Sequence, residues 1–283
     1  MIEQLMEKIL ATGANLYSLT AIEDGQVHTY KIRPANPCND TYSVAKAFTM
    51  SAIGLCYDRG LLKPSDKVCD IFRGQLPADM DERWEEVTVD NVLRHRMGTT
   101  KGYLDIDVED INDYPTDDLL SMVFSAKIEI DPGEKYCYSD AAYYLLSRVV
   151  TQVSGEGMDD ILMREILRPL GCREAAWSKC PRGYAMGATG LYIRSVDIAR
   201  LGQLYINEGM WEGKQILSSE WVNLAKEREY SLILCRNGGY TKGGMRGQRL
   251  YFNPKTNVAI GWTAYDPDGK NKPILEYIAD LDV

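Results

Sequence analysis

The first twelve residues place Ile2, Leu5, Met6, Ile9 and Leu10 on one helical face, with Glu3, Glu7 and Lys8 elsewhere. That spacing predicts an amphipathic helix, without the basic start and continuous apolar run of a secretory leader. The pattern then changes period. Residues 14–22 and 26–33 read as two strands, rich in β-branched and aromatic side chains. Asp24-Gly25 between them predicts a hairpin, because glycine accepts positive φ without a steric penalty. A coil with Pro34, Pro37 and Asn39 follows, and then a helix from about Ser43 to Arg59 that stops at Gly60.

The middle of the chain is mostly helical in pattern. Thr88 and Thr116 are placed to cap two helices, the second carrying Leu119, Leu120, Met122 and Val123. Residues 139–153 and 158–169 form two more, ended by Gly155 and Gly171. Ser195 is expected to cap a helix reaching Asn207, and Ser218 one reaching Glu227. Strand patterns return at 231–236, 248–253 and 257–265, and residues 272–281 read as a closing helix. Strands at both ends with helices between them predict an α+β fold: one antiparallel sheet built from both termini, flanked by helices. The expectation is a single domain over 1–283. Its α/β subdomain covers about 1–60 and 228–283, and its helical subdomain about 61–227.

Composition narrows the function classes. Of 283 residues, 45% are hydrophobic and 26% charged, which suits a globular core and sets disorder aside. A net charge of -9 repels phosphate backbones and anionic lipid, so neither nucleic acid nor a membrane is expected as a partner. The seven cysteines and two histidines show no metal-ligand spacing, so no metal and no cofactor are expected. The odd number of widely spaced cysteines, with an N-terminal pattern unlike a secretory leader, points to a reducing compartment, the cytoplasm.

Three short segments carry chemistry. Ser43-Val44-Ala45-Lys46 puts Lys46 one helical turn behind the Ser43 hydroxyl, where an amine can take the serine proton. By itself the tetrapeptide also reads as a capping serine followed by a solvated lysine. Tyr138-Ser139-Asp140 follows the Pro132-Gly133 turn. A loop there can present the Tyr138 phenol to a cleft, or simply pack an aromatic at a helix start. Lys242-Gly243-Gly244-Met245, expected at the start of a strand, offers a positive charge and an open backbone edge; alternatively it is a glycine-rich turn with a surface lysine.

The order serine–lysine, tyrosine, lysine–glycine resembles that of the β-lactamase and penicillin-binding protein superfamily of serine hydrolases, and its class C branch in particular. The likeness extends beyond the motifs. FTMSAIGLCYDRGLL (48–62) resembles the family's nucleophile helix, and VTVDNVLRHRMG (87–98) its "ITIRHLLTHTSG" segment. PGEKYCYSDAAYYLL (132–146) is similar to "PGTxFxYSNxxYxLL", and residues 190–217 to "GLYLSARDLARFGQLYLNGGKWNGKQIL". The resemblance implies Ser43 as the acylated nucleophile, with Lys46 and Tyr138 sharing general base and acid work. It implies Asp140, Lys242, Gly243, Gly244 and Met245 on the substrate side, with the amides of Ser43 and Met245 as an oxyanion hole. The implied activity is hydrolysis of an ester, amide or peptide-like substrate through an acyl-serine. The alternatives are a slow-deacylating or non-catalytic penicillin-binding sensor, or a true β-lactamase. Two departures from the pattern matter: Asp140 stands for asparagine, and Arg96-Met97-Gly98 replaces Thr-Ser-Gly. An ionised Asp140 cannot donate to a substrate carbonyl and is free to pair with Lys46 or Lys242.

Overall fold

A computed structural model of the chain describes residues 2–280. In chain order, the elements that position the site begin with helix α1 (Ile2–Thr12), strands β1 (Leu16–Glu23), β2 (Gln26–Lys31) and β3 (Asn39–Asp40), and helix α2 (Ala45–Asp58). Helix α3 (Asp140–Ser154), strand β4 (Leu191–Ile193) and helix α4 (Ser195–Ile206) follow. Strands β5 (Ile233–Leu234), β6 (Tyr240–Gly244), β7 (Gln248–Asn253) and β8 (Val258–Ala264) lead to helix α5 (Lys272–Asp280). Met1 and Leu281, the outermost residues of the two expected terminal helices, lie outside the described residues.

The chain forms two compact units. One comprises residues 1–44, 165–176 and 191–283, and the other 45–164 and 177–190. The first unit holds a six-stranded antiparallel sheet in the order β2-β1-β8-β7-β6-β5. Both termini build it, as the sequence predicts. The β1–β8 register sets Leu19 against Trp262 and Ala21 against Ile260. These side chains share one face. There α1 and α5 bring Leu5, Ile9, Ile274 and Ile278 to close an apolar core, while Leu10 stays exposed. Thr20, opposite Gly261, points to the other face.

On that second face α4 crosses the sheet. The Ser195 hydroxyl lies 2.9 Å from those of both Ser18 and Thr20. Gly261 lets the helix come so close, since a Cβ there would stand 2.5 Å from the Ser195 carbonyl oxygen. This engagement overturns the expected cap. Arg194 is the N-cap of α4, and its backbone N–H donates to the Asp197 carboxylate. Helix α4, expected in the helical subdomain, packs against β1, β7 and β8 in the sheet unit.

In the second unit α2 packs against α3, beside an aromatic cluster of Phe72, Trp84 and Phe124 in edge-to-face contact. Thr88 caps Val89–Leu93 in a reciprocal capping box with Asn91. The Thr116 cap is displaced. Asp118 caps Leu119–Phe124 by accepting from Ser121 N, and the Thr116 hydroxyl accepts from Asp118 N. The expected helix at 158–169 is a short α-helix, Met158–Leu162, running into a π-turn at Met163–Leu167. Among the described residues no helix is long and apolar enough to cross a membrane, and none of the seven cysteines is in a disulfide.

Candidate active site

The residues singled out by the motifs fall in both units. Ser43 belongs to the first, in a 3-10 turn, Tyr42–Val44, ahead of α2 rather than inside it. The turn is tightly specified. Just before it, β3 pairs with β4, and the Thr41 amide and hydroxyl both donate to the Leu191 carbonyl, at 2.9 and 2.8 Å. Tyr42 takes a left-handed φ of 46°, and its N–H donates to the Asp40 carboxylate at 2.8 Å. A non-glycine residue held there is strained and persists because its neighbours over-determine it.

The Ser43 turn packs against β6. Lys242, Gly243 and Gly244 end this strand rather than start it, and Met245 opens the following 3-10 turn. Their partners on β7 are Leu250, Arg249 and Gln248. Gly244 is where strand and turn meet, since a Cβ there would stand 2.3 Å from the Thr41 carbonyl oxygen. Lys242 is nearly buried, while Gly243, Gly244 and Met245 are partly open.

The second unit holds Lys46, Tyr138 and Asp140 together. Lys46 sits in the first turn of α2, and its side chain is wholly buried. Its ammonium donates to Asp140 Oδ1 at 2.6 Å and to the Ala188 carbonyl at 2.9 Å. It also lies 4.8 Å from the centre of the Tyr138 ring, close enough for cation–π attraction. Of the two partners open to Asp140 in the sequence, Lys46 is thus the one it takes. Asp140 is the first residue of α3, where the helix dipole favours a negative charge. A buried ammonium needs such a partner, because an unpaired charge in this environment is very costly.

Tyr138 is two-fifths exposed. Its backbone is fixed by the loop before it: a Cβ on Gly102 would meet the Tyr138 carbonyl oxygen at 2.5 Å, and the Ser139 hydroxyl donates to Tyr103 O. His95, with φ of 54°, stacks its ring 4.6 Å from that of Tyr138 and accepts from Ser139 N. Arg96, the departure from threonine, donates to the carbonyls of Gly133 and Glu134 and so ties down the Pro-Gly turn.

The sequence did not reveal Asp105 and Asp107. Their carboxylates lie with that of Asp140 within 4.8 Å of one another, the one group among the described residues that could hold a metal ion. Lys46 already supplies a cation to it, and the Thr189 hydroxyl donates to Asp107 at 2.6 Å. Burial, then the Asp140 charge, raises the Asp105 carboxyl above its ordinary value. Only the Asp-x-Asp spacing after Tyr103 marked these residues, and nothing in it indicated how the 99–115 loop folds back.

Comparison with known proteins agrees with the fold. The family model described as Beta-lactamase matches residues 2–281. The chain belongs to the β-lactamase family. Penicillin-binding protein 4 of Amycolatopsis lactamdurans is 22% identical over 80% of this chain, which spans 62% of that protein's length. The N-acetylmuramyl-L-alanine amidase of Bacillus subtilis (strain 168) is 22% identical over 93% of the chain and 76% of its own. A family VIII carboxylesterase shares the fold with a TM-score of 0.76 at 15% identity, covering 98% of this chain and 96% of its own. A hydrolase, the amidase, is thus among the relatives of this chain.

Proposed function

We propose that the protein is a serine hydrolase that acts through an acyl-Ser43 intermediate on an ester, amide or peptide-like substrate. The observation that carries this reading is the wholly buried Lys46, ion-paired to Asp140 and lying against the Tyr138 ring. The exposed Tyr138 phenol relays the proton and shares general base and acid work with Lys46 beside it. Ser43 Oγ attacks the acyl carbon as its proton passes to the Tyr138 oxygen and the phenolic proton moves on to the substrate's leaving atom. The amides of Ser43 and Met245 hold the resulting oxyanion. Collapse expels the leaving group with that proton. A water then attacks the acyl group, its proton passing to Tyr138 as the phenolic proton returns to Ser43 Oγ and the ester bond to Ser43 breaks. Lys242 attracts an anionic substrate group, and Gly243-Gly244 gives the substrate backbone an edge to lie against. Seven cysteines outside any disulfide further favour a reducing compartment such as the cytoplasm.

The test is release of p-nitrophenol from a p-nitrophenyl ester and opening of a chromogenic cephalosporin, each with Ser43→Ala alongside. Repeated turnover by the native protein, reduced about a thousandfold or more in the variant, is expected on the ester. Equal rates in both proteins would remove Ser43 from the chemistry. The Lys46–Asp140 pair also favours a second reading, a slowly deacylating sensor, because the bond to Asp140 competes with base work by Lys46. One product per protein molecule, followed by silence, would establish that reading; faster turnover of the cephalosporin would mark a true β-lactamase.

A further inference from the structure

Away from the motif residues, the sheet unit contains a cleft of about 480 Å³ at the N-terminal end of α4. Arg168, Arg173, Arg194 and Arg200 line it around Gly171 and Cys172. Two of these guanidinium groups are fixed. Arg194 binds the buried Asp197 carboxylate through Nε at 2.9 Å and a terminal nitrogen at 2.8 Å. Arg200 donates to the Gly171 carbonyl at 3.0 Å and lies 3.9 Å from Asp197. A Cβ on Gly171 would stand 2.9 Å from the Arg200 terminal nitrogen, so glycine keeps that guanidinium in place. Each of the two fixed side chains is about a quarter exposed. Arg168 and Arg173 are exposed and make no ion pair among the described residues.

The charges do not balance. Four guanidiniums line the cleft and no carboxylate does; Asp197 beside it is already engaged by Arg194 on both oxygens. The Cys172 thiol adds no negative charge, since burial pushes it up to about 12. The carboxylate of Glu174, next along the chain, faces the Cys38 thiol. The positive end of the α4 dipole adds to the excess. In a chain of net charge -9, an uncompensated basic cleft is out of keeping with the rest of the protein. Guanidinium groups present paired donors that match oxyanions with several acceptor oxygens, and phosphate groups above all.

We propose that this cleft is a binding site for a phosphate-bearing anion. Arg194 and Arg200 form its preset wall, and Arg168 and Arg173 close on the ligand from the rim. The site is independent of the Ser43 chemistry and stands or falls separately from it.

Isothermal titration of the full chain with sodium pyrophosphate, at constant ionic strength in chloride, tests the proposal. Saturable one-site binding is expected. It should weaken at least about tenfold in the double variant Arg168→Gln/Arg173→Gln, since charged hydrogen bonds are lost. Those two side chains make no other ion pair, so without pyrophosphate the variant should melt no lower than the native protein. Arg168→Lys/Arg173→Lys, which keeps the charge, should recover much of the affinity. Flotation with phosphatidic acid vesicles distinguishes the two sources of the phosphate. A soluble ligand leaves the protein off the vesicles, whereas a lipid headgroup gives vesicle binding that pyrophosphate competes away. Equal pyrophosphate affinity in the native protein and the glutamine variant, or no saturable binding to the native protein, overturns the proposal.

Discussion

Asp140 differs from the asparagine of the family pattern by one atom and a charge, and the change reorganises its surroundings. Its carboxylate takes the Lys46 ammonium at 2.6 Å and stands near the carboxylates of Asp105 and Asp107. Three carboxylates around one buried ammonium leave negative charge in excess. Asp105 bears the consequence, because burial and Asp140 together raise its carboxyl above the ordinary 3.8. The sign of the stability effect follows from this. A carboxyl raised in the folded state binds its proton more tightly there, so it supports the fold at low pH and works against it as pH rises through the raised value. Asp105→Asn should therefore raise the melting temperature at pH 7, with the gain shrinking towards zero below about pH 4. Melting scans across that range check it; a gain independent of pH would deny Asp105 this role. The Asp140–Lys46 pairing was partly legible in the sequence, as one of two options. Choosing between them required the fold, because the two residues lie far apart in the chain.

At the scale of elements, the short turn at Tyr42–Val44 shows where sequence pattern stops being informative. Apolar periodicity extends the helix back to Ser43, yet the helix begins at Ala45. The Asp40 carboxylate and the doubly bonded Thr41 hold a tighter turn there, and periodicity records neither. Similarly, Ser195 has the chemistry of a cap, but its hydroxyl is engaged by Ser18 and Thr20 across the sheet. The lysine–glycine strand was read from the wrong end because glycines erase the alternation that marks a strand. Those same glycines set up a test. In Gly244→Ala the new Cβ would press on Thr41 O and shift the turn that carries Ser43. Ester turnover should fall tenfold or more, while stability drops by about 1–3 kcal/mol. Rate assays beside urea unfolding curves separate the two effects. Undiminished turnover would show that the turn tolerates displacement.

At the scale of the whole chain, the α+β class and the sheet built from both ends were legible, because hairpin and strand signals cluster at the termini. The division into units was less so. Residues 165–176 and the helices after 191 belong with the sheet, and no shift of composition announces either crossing. What binds α4 to the sheet is a close approach at Gly261, to which hydrophobic pattern is blind. Gly261→Ala should push that helix outward and cost about 1–3 kcal/mol of stability. A lowered urea midpoint checks this, and an unchanged midpoint would mean that α4 yields without loss.

The pairing of β1 with β8 also fixes an order of events during synthesis. Strand β1 leaves the ribosome early, but its partner begins at Val258. At elongation rates of roughly 5–20 residues per second, β1 waits on the order of tens of seconds for it. During that wait Leu16 and Leu19, destined for the core, are without their strand neighbour. Residues 45–164 and 177–190, by contrast, are complete in the nascent chain well before β8 exists. A cell that slowed translation of residues 191–257 would lengthen the exposure of β1 without touching the helical unit.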